Sequence, residues 1–516
     1  MYHAHSPVAN DRQMLAQYDR GLLVGDEVHH RAKENIMSQQ TQSQIDGKLK
    51  GKLIAVCTIG AVGGFLFGYD TSVINGAVTA IASPDSGFAL SSTMSGFSVS
   101  SALLGCVFGA WFAGVVADRM GRIRVLELAA ILFVAASLVT GLTTNFTIFI
   151  IFRIVGGLGV GFTSAIGPAY ISEISPAARR GFFTSFQQMA IALGIIASLV
   201  VNDIYVVASG GAEMPFWMGI DAWRWMLVTT ALPGVIMFFL CFALPETPRY
   251  LVMKGEIAKA KTILIDVIGD NNADVTIAKI QKSFQSEENE KKVSFRELRG
   301  KTFGLKGVVW ISIIFVLLAQ ANGQNIIMLY DSSLWNMLGF SEQASLTIAV
   351  VRATLAAVAT VVGMVLIDRV GRRNLMKYGT LLMTVFLGIT AIGFGQGQLS
   401  ADGTLSLSIT WTWISIVCTY AFFLVCCATT NVTVWVIISE IFPNRIRAKG
   451  EAVATAANWM FNFLITTIYP PMRDGIGLGW TYGFYTLMAL LGFFFVVKFL
   501  PETNGVELED MKAELK

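Results

Sequence analysis

The chain has 516 residues, 54% of them apolar and 14% charged, with a mean hydropathy of +0.60. This balance excludes a water-soluble globular domain and fits a polytopic membrane protein. A net charge of +3 gives no ground for nucleic-acid binding, and the six cysteines fall within apolar runs without metal-type spacing. All four histidines (His3, His5, His29 and His30) precede the first apolar run, so carboxylates must carry any proton inside the membrane; neither a metal nor a cofactor is implied.

Residues 1–50 read as a polar tail with no apolar core and small-residue cleavage site of a signal peptide. Within it, 1–36 look dispensable, and Met37 is an alternative start. Twelve apolar runs follow, near 53–76, 95–117, 125–144, 147–169, 184–203, 224–244, 307–330, 345–367, 375–394, 411–438, 452–471 and 481–500. The predicted architecture is an all-α membrane protein. It has an amino-terminal six-helix bundle (51–244), a polar linker with short helices (245–306), a carboxy-terminal six-helix bundle (307–500) and a tail (501–516).

The first run carries Asp70 within Gly63–Thr71, GGFLFGYDT. A carboxylate at mid-helix disfavours insertion by about 2.5–3.5 kcal/mol, so something must stabilise it or use it. In the fourth run Arg153 is the other strongly ionic group of this half, and a buried Asp needs such a partner. The functional reading is an Asp70 that alternates between a protonated form and an ion pair with Arg153. The plainer reading is a fixed pair that only joins two helices.

Lys and Arg set the orientation, because they concentrate on the cytoplasmic side. Lys48, Lys50 and Lys52, Arg119, Arg122 and Arg124, Arg179 and Arg180, the linker, Arg369, Arg372, Arg373 and Lys377, and Arg445, Arg447 and Lys449 all fall on one side. The other side holds Arg473 and the helix-edge Arg224. Both termini and the linker are therefore expected in the cytoplasm.

An internal repeat organises the chain. Asp118-Arg119-Met120-Gly121-Arg122 recurs as Asp368-Arg369-Val370-Gly371-Arg372. Ile171-Ser172-Glu173, with Pro176 and Arg180 beyond it, recurs as Ile438-Ser439-Glu440 with Pro443 and Arg447. Pro245-Glu246-Thr247 recurs as Pro501-Glu502-Thr503. Repeats of this kind place a substrate site near the midplane between two halves that rock against each other. The charged members can interlock as a latch at the inner gate, with Glu173/Arg180 and Glu440/Arg447 sharing one spacing.

These motifs, with Arg153-x-x-Gly156-Gly157-x-Gly159, Pro168-x-Tyr170-x-x-Glu173, Pro245-Glu246-Thr247-Pro248-Arg249 and Pro501-Glu502-Thr503-Asn504-Gly505, resemble the sugar porters of the major facilitator superfamily from about residue 50 to 505. The resemblance implies a major facilitator fold and a secondary transporter working by alternating access. The expected cargo is a monosaccharide or an inositol-like cyclic polyol, moved with protons. Uncoupled facilitation, a sugar-acid or organic-acid substrate, and a transporter-like nutrient sensor stand as alternatives; no motif of an enzyme is present. Partners reduce to the solute, protons and the lipid bilayer of a cell membrane, with the monomer as the working unit. By motif position the substrate-binding candidates are Gln188, Gln320, Gln324, Asn325, Trp435, Asn458 and Trp459.

The chain departs from the family pattern where that site should lie. Ala319-Gln320-Ala321-Asn322-Gly323-Gln324-Asn325 stands for Gln-Gln-x-x-Gly-x-Asn, and Asn431-Val432 stands for the Gly-Pro of the tenth helix. Asp331 and Arg352 add two charges to the carboxy-terminal half. They are expected to pair near the outer mouth; separate snorkelling to the interface, or an Arg352 that binds a substrate carboxylate, are the alternatives.

Overall fold

The computed structural model describes residues 51–502 apart from 89, 177–179, 271, 290–294, 301–302, 400–403 and 444–445, so the expectations for 1–50 and 503–516 lie outside it. Among the described residues eleven helices are long and apolar enough to cross a bilayer. The first six are α1 (Gly51–Ala82), α2 (Ser92–Met120), α3 (Arg122–Leu142), α4 (Phe146–Ile174), α5 (Phe182–Ser209) and α6 (Ala222–Cys241). The rest are α7 (Gly307–Met337), α8 (Glu342–Ile367), α9 (Arg372–Gly395), α10 (Ile409–Glu440) and Lys449–Phe499. That last stretch of 51 residues turns at Gly477, whose φ of +82° a side chain would strain, so it supplies two crossings, α11 (449–476) and α12 (478–499). The described residues therefore make twelve crossings, as the apolar runs predict.

Four of the described spans are interrupted, α1 at Ala61, α6 at Thr230, and α7 and α10 more deeply. α7 consists of α7a (Gly307–Ala321) and α7b (Gln324–Met337), and α10 of α10a (Ile409–Ala428) and α10b (Thr430–Glu440). The run expected to end at residue 330 continues to Met337, because Leu334 and Trp335 are buried and carry no stop signal. Asn145, formally a glycosylation sequon, accepts hydrogen bonds from the Thr147 and Ile148 amides at 2.9 and 3.2 Å as the cap of α4.

Small residues let the helices meet backbone to backbone. A Cβ on Gly157 of α4 would strike the Ala102 carbonyl of α2, and one on Gly105 of α2 would strike the Ile154 carbonyl of α4. Gly68 of α1 meets the Ile191 carbonyl of α5 in the same way. In lipid such close approach drives helix association. Gly157→Leu is therefore expected to abolish the monodisperse peak in size-exclusion chromatography, since a carbonyl cannot yield as a side chain can.

The first six helices meet the last six through α1 with α7b, α2 with α11, and α5 with α8. The hydrogen bonds between them lie toward the face remote from the basic loops. Ser100 and Thr467 hydroxyls are 2.6 Å apart, the Ala212 amide donates to Glu342 at 3.1 Å, Thr347 donates to Asp203 at 3.5 Å, and Ser92 donates to Asp474. On the basic face, Pro248–Met253, Ile257–Ile263, Leu264–Ile268 and Ala273–Asn289 form the linker helices, packed through Leu251, Val252, Ala260, Leu264 and Ile277.

Candidate functional site

Asp70 on α1 and Arg153 on α4 are both buried, and the structure places Arg153 Nη1 3.7 Å from Asp70 Oδ1. This is an attraction at the long end of an ion pair. Among the described residues Asp70 Oδ2 and Arg153 Nε have no hydrogen-bond partner, and Ser137, Thr140 and Thr230 line the small cavity beside them. A buried charge with an unsatisfied oxygen is held weakly, so proton uptake there costs little contact energy.

The second cluster grows from the break in α7. Gly323 adopts φ +84°, and the Tyr485 ring lies 2.7 Å from where a Cβ would sit, so both conformation and close approach require glycine. The break turns a run of amides inward. Gln320 Nε2 donates to Asn458 Oδ1 at 2.6 Å, Asn325 Nδ2 donates to Gln320 Oε1, and the Gln324 amide donates to Asn322 Oδ1 at 2.9 Å. Gln324 Oε1 accepts from the Cys426 thiol of α10a. Trp459 is buried one residue past Asn458, edge-on to Phe67 of α1 at 5.7 Å between centroids, and its Nε1 has no partner. Irregular backbone at membrane depth that presents amides and an indole suits a polyhydroxylated ligand.

Two further candidates fall elsewhere. Trp435 sits on α10b with its side chain exposed, outside the hydrogen bonds that join Gln320, Asn325 and Asn458. Gln188 on α5 is half-buried, while its neighbour Gln187 is buried with both amide atoms unpartnered. Gly64 of α1 and Gly167 of α4 make room for Gln187, whose side chain lies 2.9 Å from a Cβ placed at either. The motif position names Gln188, and the structure adds Gln187 beside it. The roughly 100° between successive helical positions turns Gln187 toward α1 and α4.

Asp331 and Arg352 are fully buried and 2.7 Å apart, Arg352 Nε donating to Asp331 Oδ2. Tyr420 donates to Asp331 Oδ1 at 3.3 Å, Trp335 Nε1 donates to Tyr420 at 2.6 Å, and Phe423 lies under the guanidinium at 4.6 Å. Snorkelling does not describe these residues: both sit inside α7b, α8 and α10a rather than at an interface.

At the basic face Arg122 Nη2 donates to Glu173 at 3.0 Å and Nη1 to Asp118 at 3.4 Å, while Arg372 Nη2 donates to Glu440 at 3.3 Å. Glu246 accepts from the Arg122 and Ile123 amides at the start of α3, at 3.2 and 3.3 Å. Glu502 accepts from the Arg372 and Arg373 amides at the start of α9, at 2.9 and 3.1 Å. The repeated Pro-Glu-Thr thus supplies a carboxylate to a helix N-terminus twice, as the dipole favours. Burial pushes the Glu246 carboxyl above its ordinary range, opposed by these amides and Arg122. Glu246→Ala and Glu502→Ala should each cost about 1–3 kcal/mol of stability by leaving amides unpaired, read as lower melting temperatures in detergent.

Arg447 does not meet Glu440; its guanidinium donates to the Phe442 carbonyl at 3.1 and 3.2 Å. The helix stops before Pro443 and the chain turns, so the equal spacing of Glu440 and Arg447 does not share a helical face. The side chains of Arg180 and Asp368 lie outside the described residues, and Arg119 and Arg369 are exposed. The ion pairs described here close within the first six helices or within the last six, not across them.

A family description, "Sugar (and other) transporter", matches residues 56–515. The chain is 39% identical over 483 residues to the glucose transport protein of Synechocystis sp., covering 92% of this chain and all of that one. It is 33% identical over 464 residues to the arabinose-proton symporter of Bacillus subtilis, covering 90% of this chain and 95% of the other. Among solved structures, a partially occluded inward-open conformation of the xylose transporter XylE from E. coli superposes with a TM-score of 0.75 at 27% identity, covering 89% of this chain and all of that one. With twelve crossings, the repeated charged turns and a match along nearly the whole chain, this protein belongs to the sugar transporter family of the major facilitator superfamily.

Proposed function

We propose that the protein carries a neutral monosaccharide or cyclic polyol across a cell membrane together with a proton, by alternating access between two six-helix bundles, 51–244 and 307–500. The observation that carries this reading is the Asp70–Arg153 pair, buried in the membrane at 3.7 Å with a carboxylate oxygen left without a partner. Relatives named as arabinose-proton and xylose-proton symporters support the coupling. Asp70 binds the proton, Arg153 is its counter-ion, and Gln187, Gln188, Gln320, Gln324, Asn325, Asn458 and Trp459 bind the hydroxyls and the C–H face, with Trp435 closing over them in another state.

The basic face is the cytoplasmic one, since Lys and Arg gather there. The hydrogen bonds between bundles lie toward the opposite face, which makes this the inward-facing state. The inner charge clusters, closed here within each bundle, latch the bundles together when the carrier faces outward. Arg352 is occupied by a carboxylate of its own chain, which favours a neutral ligand over a sugar acid.

The test is uptake of labelled hexoses, pentoses, inositols and sugar acids into proteoliposomes, with and without an imposed proton gradient. Gradient-dependent accumulation of one neutral class is expected. Uptake indifferent to the gradient would make the protein a facilitator, and binding without flux would make it a sensor.

A further inference from the structure

Asn75 of α1 is fully buried and makes three hydrogen bonds to α7b across the boundary between the first six helices and the last six. Its Nδ2 donates to the Met328 carbonyl at 2.8 Å, its Oδ1 accepts from the Ser332 amide at 3.1 Å, and its own carbonyl accepts from the Ser332 hydroxyl at 2.6 Å. Met328 C=O and Ser332 N–H are the acceptor and donor that an unbroken α-helix pairs with each other. Between them Tyr330 leaves helical geometry, at φ −122° and ψ +16°. A side-chain carboxamide offers the same C=O acceptor and N–H donor as a peptide group, with one N–H to spare, so it can occupy the place of that turn.

The two sides of this bridge are anchored differently. On α7b the residue before Ser332 is Asp331, tied at 2.7 Å to Arg352 of α8, so the segment moves with the carboxy-terminal helices. On α1, Asn202 of α5 donates to the Val73 carbonyl at 3.0 Å, and Asp70 lies five residues before Asn75, about 7.5 Å along the axis. The bridge therefore joins a segment fixed in one bundle to the helix that bears the proton site of the other.

We infer that Asn75 is the latch of the outer gate: its carboxamide inserts at the Tyr330 kink of α7b to hold that face shut, and its release lets α7b straighten and the face open. Because Asn75 and Asp70 share α1, displacement of that helix when the Asp70–Arg153 pair parts is transmitted to the gate. Asn75 is a positioning residue and need not touch the solute. The inference rests on the alternating-access reading above.

The test measures gate opening independently of flux. Ser100, closed against Thr467 at the same face, is replaced by cysteine, and its modification by a water-soluble maleimide is timed in lipid nanodiscs. The six native cysteines are all buried, and the five other than Cys426, whose thiol meets Gln324, serve as the blank. Asn75→Ala should speed modification of Ser100→Cys at least fivefold, and Ser332→Ala, which removes one of the three bonds, two- to threefold. Asn75→Ser, which keeps a single hydroxyl, should fall between and substitutes for the alanine variant if that fails to fold. Rates within twofold of the parent for all three would overturn the latch, as would an equal rise at the blank cysteines, which marks general loosening. A fivefold rise in a protein that moves no sugar would leave the latch standing and overturn the proposed substrate instead.

Discussion

Asp70→Asn is expected to abolish gradient-driven accumulation while leaving equilibrative exchange. One proton moving down about 150 mV releases around 3.5 kcal/mol, enough to concentrate a neutral solute a few hundredfold. Asparagine matches the shape of the protonated acid and keeps a contact with the Arg153 guanidinium, but it neither takes nor gives a proton. The accumulation ratio should therefore fall to about one, a loss near the full 3.5 kcal/mol, with counterflow of labelled solute preserved because that half-cycle needs no deprotonation. Arg153→Ala should behave differently. It strands a buried carboxylate, which is then neutralised, so exchange weakens as well as accumulation. If Asp70→Asn still accumulates solute against its gradient, Asp70 is a structural charge and the coupling site lies elsewhere.

Arg352→Ala is expected to destabilise the protein more than any single change among the binding amides. Removing one member of a buried, hydrogen-bonded pair typically costs about 3–5 kcal/mol, because the surviving charge has no solvent to turn to. Asp331 would keep only the Tyr420 hydroxyl, which itself depends on Trp335. Exchanging the two charges, Asp331→Arg with Arg352→Asp, should recover part of the loss, and Asp331→Leu with Arg352→Met should approach wild-type stability, since a well-packed apolar pair avoids desolvation altogether. Melting curves followed by size-exclusion separate these outcomes. Single variants as stable as the parent would mean that the pair does not hold α7b to α8.

Much of this was legible in the chain because the bilayer restricts the alternatives. Apolar runs must be helices, and an ionic residue within one must find a partner, which is why Asp70 and Arg153 could be matched without coordinates. The amides around Gly323 were readable for a related reason: polar side chains flanking a glycine in a membrane run must line something. What stayed hidden depends on rotation and on turns. Gln187 and Gln188 are equivalent as letters, and only the azimuth of α5 separates the one buried against Gly64 and Gly167 from its half-buried neighbour. Asn75 looks like an incidental polar residue until the kink at Tyr330, itself unmarked by Pro or Gly, supplies its two backbone partners. Nor does the repeated spacing of Glu440 and Arg447 reveal that Arg447 turns to the Phe442 carbonyl, because the helix ends at Glu440.

The looseness of the Asp70–Arg153 pair also has an electrical consequence. Deprotonated, the pair carries no net charge, so the empty carrier can reorient without work against the membrane field. With Asp70 as the proposed proton site, protonation would leave the Arg153 guanidinium alone, and the loaded form would carry one positive charge. Membrane potential should therefore accelerate the loaded half of the cycle and leave the empty return indifferent to voltage. The Asp331–Arg352 pair, closed at 2.7 Å within the carboxy-terminal helices, has no net charge and should add nothing to the current.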